Sequence, residues 1–300
     1  MAFGSKGLTK TKLHIFKFSA RHAISVLASA GETKEGNTIS RNTKIEWTHH
    51  TFNPWKGCSK VHTGCKFCYA EDLAGRRFGE YWEVEWGPHG KRSRTSAANW
   101  REPLKWNREA MEAGERHRVF CASLADVFED RPELVDWRAE LFELIDATQQ
   151  LDWLILTKRP ENVCKMWPDD RYRENVWLGT SVSDQATADV WTERLIGLRH
   201  LTPILFLSVE PLIGPVTIPY LDQIDWTIVG GESHRSPKIA RRCDDEWIRS
   251  VVEQCRSAEV PVFVKQLGTR QELKHKKGGD MAEWPADLRV REFPALQVES

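Results

Sequence analysis

The sequence predicts an α/β fold, a partial or irregular (βα) barrel of six to seven parallel strands. Two observations carry this expectation. Short apolar runs recur between residues 119 and 265, and amphipathic stretches at helical spacing separate them. Runs rich in β-branched and aromatic side chains are what strands buried on both faces require. Their alternation with helices calls for right-handed βα crossovers and a parallel sheet.

The strand candidates are residues 119–124 (VFCASL), 153–157 (WLILT), 176–181 (VWLGTS), 204–209 (ILFLSV), 226–230 (WTIVG) and 262–265 (VFVK). One more strand is expected just before Cys58. Helices are expected over residues 132–149, with Leu134, Trp137, Leu141, Leu144 and Ile145 on one face, and over 183–198, behind a Ser/Asp cap. A third is expected over 244–258, presenting Trp247, Ile248, Val251, Val252 and Cys255. Six or seven such units fall short of the eight that close a full barrel. A doubly wound open sheet is the alternative that periodicity leaves open.

Composition excludes several classes. The 300 residues balance 43 Lys+Arg against 43 Asp+Glu, and 40% are hydrophobic. These values rule out a disordered tail, a collagen-like fibre or a coiled-coil rod. No run of apolar residues is long enough to span a bilayer. Seven cysteines without a secretory signal point to reduced thiols in a cytoplasmic protein rather than a disulfide framework. Neutral net charge argues against a generic nucleic-acid binder. The neutrality is an average, however. Residues 1–44 hold eight basic and two acidic residues, leaving 35 basic and 41 acidic in the remaining 256. Residues 1–43 are therefore read as a basic, disordered extension or start-site artefact, 44–270 as the α/β domain and 271–300 as a C-terminal tail.

In α/β folds the chemistry sits at the carboxyl ends of the strands. Here those ends carry Ser123 and Asp126, Thr157, Lys158 and Arg159, Thr180 and Ser181, Ser208 and Glu210, Gly230, Gly231 and Glu232, and Lys265 and Gln266. Charged side chains beside buried strands are costly unless paired or used. They form either a rim of structural ion pairs or a ligand site.

The sharpest motif is Cys58, Cys65 and Cys68, spaced C-x6-C-x2-C, with Gly57 and Gly64 allowing a tight wrap. Three thiolates leave a site one ligand short, which suits a 4Fe–4S cluster with one iron open to a small molecule. The competitor is zinc, with His62 completing a Cys3His tetrahedron. The other cysteines, Cys121, Cys164, Cys243 and Cys255, lack such spacing and read as small buried hydrophobes.

A three-cysteine cluster after the first strand of a partial barrel resembles the arrangement of radical S-adenosylmethionine enzymes, although their usual spacing is C-x3-C-x2-C. Gly230-Gly231-Glu232 resembles that superfamily's Gly-Gly-Glu, but stands near the penultimate strand rather than the second. Over residues 44–268 the chain is also similar to the phage-type three-Cys-motif family. The similarity rests on 44–48 (KIEWT), 50–55 (HTFNPW), 64–71 (GCKFCYAE), 98–101 (ANWR), 119–128 (VFCASLADVF), 156–160 (LTKRP), 208–212 (SVEPL), 228–233 (IVGGES) and 263–268 (FVKQLG). The resemblance implies a 4Fe–4S cluster on Cys58, Cys65 and Cys68 and S-adenosylmethionine on the open iron. It also implies a phage or bacterial setting and a separate partner protein encoded nearby, and it supplies no substrate. Lys158, Arg159 or Lys265 would then meet the cofactor's carboxylate, and Glu210 or Glu232 its ammonium or ribose hydroxyls, beside Gly230 and Gly231.

One segment points to a substrate. Residues 90–95 (GKRSRT), followed by Trp100, Arg101, Lys105, Trp106 and Arg108, are basic and interleaved with aromatics. Trp86, Trp100 and Trp106 would stack on bases while the cations meet phosphates, making the 86–108 loop a nucleic-acid contact. The plainer expectation is a solvated basic loop leading into a helix whose Trp side chains pack inward. Residues 273–279 (LKHKKGG) read as a solvated loop.

Overall fold

The computed structural model describes residues 43, 45–77, 84–234, 236, 238–275 and 277–295. Apart from Thr43, the extension expected over residues 1–43 lies outside them. Nine strands follow in chain order: β1 His50–Thr51, β2 Trp55–Lys56, β3 Ser93–Arg94, β4 His117–Cys121, β5 Leu151–Thr157, β6 Val176–Ser181, β7 Ile204–Val209, β8 Trp226–Gly230 and β9 Val262–Gln266. The helices are α1 Tyr69–Arg77, α2 Ala97–Ala113, α3 Val135–Asp146, α4 Val163–Met166, α5 Gln185–Ile196 and α6 Asp245–Ser257.

Seven strands make one sheet in the order β1-β4-β5-β6-β7-β8-β9, and every neighbouring pair is parallel. β2 and β3 form a separate antiparallel ribbon. Each new strand of the main sheet joins the same edge, with no reversal of order. A doubly wound sheet needs such a reversal, so the fold is the singly wound partial barrel that the sequence predicts.

The two faces of the sheet carry different cores. One buries Val119, Cys121, Trp153, Ile155, Leu178, Leu205, Leu207 and Val264 against helix residues such as Leu141, Ile145, Leu195, Ile248 and Val251. The concave face holds an aromatic cluster of Trp47, Phe120, Leu154, Trp177, Phe206, Trp226, Ile228 and Phe263. Trp226 meets Trp177 edge-on at 6.0 Å and Phe206 at 5.9 Å. Because side chains alternate across a strand, the inward positions can be read directly. They run Trp177, Gly179, Ser181 on β6; Phe206, Ser208, Glu210 along and beyond β7; Ile228, Gly230 on β8; and Phe263, Lys265 on β9. Each line begins apolar; those on β6, β7 and β9 end polar, and that on β8 ends at Gly230 beside the Glu210 carboxylate. The barrel interior therefore has a dry aromatic floor and a polar mouth at the carboxyl ends of the strands.

Residues beyond β9 lie along its free edge. Val264 donates its N–H to the Val290 carbonyl (2.9 Å), and Phe293 stacks on Trp226 with ring centroids 5.5 Å apart. Trp284 and Leu288 are buried, while Lys274 and His275 are exposed. Among the described residues no helix is long and apolar enough to cross a membrane.

The 86–108 segment follows the plainer of its two expectations. α2 begins at a Ser96 cap, whose hydroxyl accepts the Asn99 N–H, and ends at Gly114 in the left-handed region. Trp100 and Trp106 are buried inside it, so they offer no face for stacking, contrary to the first expectation. Phe52 packs edge-on against Trp100 and His50 stacks on Trp106. Trp86 is half-buried.

Candidate functional site

The three cysteines ride on the loop between β2 and α1, and the carboxyl ends of four strands grip that loop. Beyond β4, Leu124 accepts the Gly57 N–H (3.0 Å) and Ser123 accepts the Tyr69 hydroxyl (2.9 Å). After β5, Arg159 donates to the Ser59 carbonyl (2.8 Å), the Ser59 hydroxyl (2.9 Å) and the Cys58 sulfur (3.6 Å). After β6, the Asp184 carboxylate accepts the Thr63 hydroxyl (2.7 Å) while also capping α5 through the Thr187 N–H. After β8, Arg241 donates to the Thr63 carbonyl (2.7 Å) and lies over the Phe67 ring. The loop is thus held across the mouth.

Behind Cys58 stands a buried charge network. Asp126 accepts from the Thr157 hydroxyl (2.7 Å), the backbone N–H of Phe128 and Lys158, and the Arg159 guanidinium (3.0 Å). Glu129 takes two of the Arg92 nitrogens, Nε and Nη2, at 2.7 Å and the Ser59 hydroxyl at 2.6 Å. Arg92 also donates to the carbonyls of Glu85, Gly87 and Gly90, so this member of the basic run is enclosed rather than presented to solvent.

Across the mouth, Lys158 reaches the Ser181 hydroxyl (2.8 Å) and Lys265 pairs with Glu210 (2.8 Å). The second Glu210 oxygen, Oε1, is buried without a partner. Gly230 makes room for it, since a Cβ there would stand 2.9 Å from that oxygen. At Gly231 a Cβ would come within 2.5 Å of the Leu267 carbonyl oxygen, so the ends of β8 and β9 meet backbone to backbone. Glu232 is engaged by the Arg241 backbone N–H (2.8 Å) and by its guanidinium. The carboxylate therefore braces Arg241 on the cysteine loop.

Burial favours the protonated form of two of the three thiols. Burial, then the Asp126 carboxylate, push the Cys58 thiol up to about 12, against the opposing Arg159 guanidinium. Burial also pushes Cys68 up, against the N–H groups of Glu71 and Ala70 at the start of α1. A metal centre must displace those protons to bind, so loading releases them.

Among the described residues no three Cys, His, Asp or Glu side chains converge closely enough to hold a single metal ion. His62 is also poorly disposed as a zinc ligand. Its Nδ1 accepts the Gly64 N–H (3.1 Å), which assigns the proton of the neutral ring to Nε2 and leaves no lone pair for a cation. Burial, then Lys158, keep the ring neutral by lowering it to about 4. A cubane cluster spreads its thiolates more widely than one tetrahedral ion does. Three thiols with Lys158 and Arg159 close by suit such an anionic centre.

A model of the family described as "Protein of unknown function (DUF5131)" matches residues 42–288. The chain belongs to that family. No curated protein matches it. Among solved structures the chain is similar to two variants of spore photoproduct lyase, one of them with a dinucleoside spore photoproduct. Identities are 15% and 14%, and TM-scores are 0.44 and 0.43. Each match covers 71% of this chain and 62% of the lyase chain, so the chain spans less than two thirds of their length.

In this DUF5131 chain the structure brings Lys158, Glu210, Gly230 and Lys265 to one mouth, with Arg159 on its Cys58 side. Glu232 and Gly231 stand just behind it, holding Arg241 and the β8–β9 backbone. Sequence reasoning missed Arg92, Glu129 and Arg241. Each acts on a partner distant in sequence, such as Arg92 on Glu129, 37 residues away; Glu129 and Arg241 lie in no motif, and Arg92 lies in a basic run that gave no sign of a buried partner.

Proposed function

We propose that the chain is a radical S-adenosylmethionine-type enzyme, with a 4Fe–4S cluster on Cys58, Cys65 and Cys68 and the cofactor's amino-acid end at the barrel mouth. The observation that carries this reading is the placement of three thiols on one loop, clamped over the polar mouth of a partial barrel with an aromatic floor. When bound, the cluster supplies an electron and the cofactor a carbon radical. The chain binds, orients and keeps water out. Lys158, which donates to the Ser181 hydroxyl and pairs with no carboxylate among the described residues, offers its ammonium to the cofactor's carboxylate. Glu210 Oε1, buried and unpartnered, accepts from its ammonium or a ribose hydroxyl. Phe120, Trp177, Phe206 and Phe263 line a water-excluding floor beneath the reacting atoms. Arg159 and Arg241 hold the cysteine loop over that floor.

A nucleotide or nucleic-acid base is the substrate class to test first. The aromatic groups on the cysteine loop beside the mouth are Tyr69, which is exposed, and Phe67, flanked by the Lys66 and Arg241 cations at 5.2 and 5.4 Å. Such a pairing of aromatic and cationic groups serves base stacking and phosphate contact. A separate partner protein is the second component to supply in such assays.

Anaerobic purification and metal analysis test the reading. The expected protein is brown, absorbs at about 400 nm and holds about four irons per chain, and Cys65→Ala removes both colour and iron. A colourless wild type with a single zinc would overturn it in favour of a zinc-stabilised module. A cluster that survives Cys65→Ala would overturn the ligand set.

A further inference from the structure

Four charged side chains are buried in one place beside Cys58. Arg92 and Glu129 have side chains 0% and 3% exposed, and Arg159 and Asp126 are 7% and 6% exposed. Burying ions is expensive, and a buried ion network adds little stability over well-packed apolar side chains. An arrangement of this kind has its best explanation in what it holds in place. Here it holds Arg159. Asp126 fixes one guanidinium nitrogen, NH1, at 3.0 Å, while the Ser59 carbonyl and hydroxyl fix the other, NH2, at 2.8 and 2.9 Å. Glu129 lies 3.5 Å from NH2 and is itself pinned by Arg92. The NH1 group so fixed points at the Cys58 sulfur, 3.6 Å away. The side chain has little freedom left to swing into the mouth toward a cofactor carboxylate, whereas Lys158 next to it does reach the mouth.

We infer that Arg159 is a positioning residue for Cys58 that raises the reduction potential of the centre bound there through an N–H···S hydrogen bond. The inference rests on the cluster reading above. A donor fixed on a ligand sulfur stabilises the more negative, reduced state of an iron–sulfur centre. A guanidinium does so with a full positive charge in addition. Asp126 and Glu129 hold the donor at its position. Their charges oppose the guanidinium's field, so it is the directed hydrogen bond rather than net charge that acts on the sulfur.

The test is a dye-mediated redox titration of the reconstituted protein, following the reduced cluster by electron paramagnetic resonance. Arg159→Gln is expected to keep its iron and to become harder to reduce by at least tenfold in the equilibrium constant, a shift of about 59 mV to lower potential for one electron. Arg159→Lys, which keeps the charge but loses the forked donor, should shift the same way by less. It carries the test should the Gln variant fail to fold. Arg92→Gln removes a buried cation that touches Glu129 but not the sulfur, so it loosens the donor only indirectly and should shift the potential by less than Arg159→Gln does. Unshifted potentials in both Arg159 variants at full iron content would overturn the inference alone. A shift in Arg92→Gln equal to that in Arg159→Gln would also overturn it, because the effect would then belong to the network's charge. A wild type that takes up no cluster would overturn it together with the reading beneath it.

Discussion

Gly179 occupies the inward position of β6 between Trp177 and Ser181. A Cβ there would stand 2.4 Å from the Phe206 ring, which packs across the barrel floor from β7. The absent side chain is what lets that ring lie flat beneath the mouth. Gly179→Ala is therefore expected to cost about 1–3 kcal/mol through overpacking, measured by urea unfolding; an unchanged midpoint would mean that the floor is loosely packed. At this scale the site was partly legible in the sequence. Cys58, Cys65 and Cys68 stand out because thiols at short spacing are what metal ligation would need, and the structure places them on one loop at the barrel mouth. Lys158, Glu210 and Lys265 follow from their places at strand ends. Arg92, Glu129 and Arg241 were not legible, because a buried charge network is defined by its partners and those partners meet only once the chain is folded. The same holds for Trp100 and Trp106, whose basic neighbours look like a nucleic-acid surface until α2 turns both indoles inward.

The elements show where periodicity is a sufficient guide. β6, β7 and β8 carry the boundaries that their apolar runs predict, since strands covered on both faces read as near-continuous apolar runs with few polar breaks. β5 starts two residues earlier than its run predicts, at Leu151, because the Asp152 carboxylate is drawn into the strand by Arg116 at 2.6 Å. At the amino end of the sheet His49, adjacent to β1, stacks on His117 of β4 and accepts the Arg118 N–H at 2.8 Å. Burial, then Arg118 and His117, lower His49 to about 4. An unfolded imidazole takes up its proton near 6.5, so between these values the unfolded chain binds more protons than the folded one. This contribution to stability is present above pH 6.5 and is lost as the pH falls toward 4. Urea midpoints measured across that range should fall with acidification, and less steeply in His49→Asn, which keeps an acceptor for the Arg118 N–H without the titration. Identical slopes would show that another group governs the acid limb.

At the scale of the molecule, one end of a partial barrel is packed with aromatic rings and the other carries thiols, cations and hydroxyls. The zero net charge conceals this division, as it conceals the basic first 44 residues set against an acidic remainder. Most of the described tryptophans belong to the barrel floor and helix packing, with Trp47, Trp177 and Trp226 closing the interior. The strand order was not legible, since runs of equal length and composition serve a singly or a doubly wound sheet alike; it is settled by consecutive parallel pairing from β4 to β9. On the proposed reading, the architecture prepares a protected space beneath a loop whose three cysteines would hold the cluster. The most direct test of that claim is to reduce the iron-loaded protein anaerobically in the presence of S-adenosylmethionine and measure the nucleoside released. Formation of 5′-deoxyadenosine by the wild type, and its loss in Cys65→Ala, is the predicted result. A fully loaded, reduced wild type that leaves the cofactor intact would contradict it.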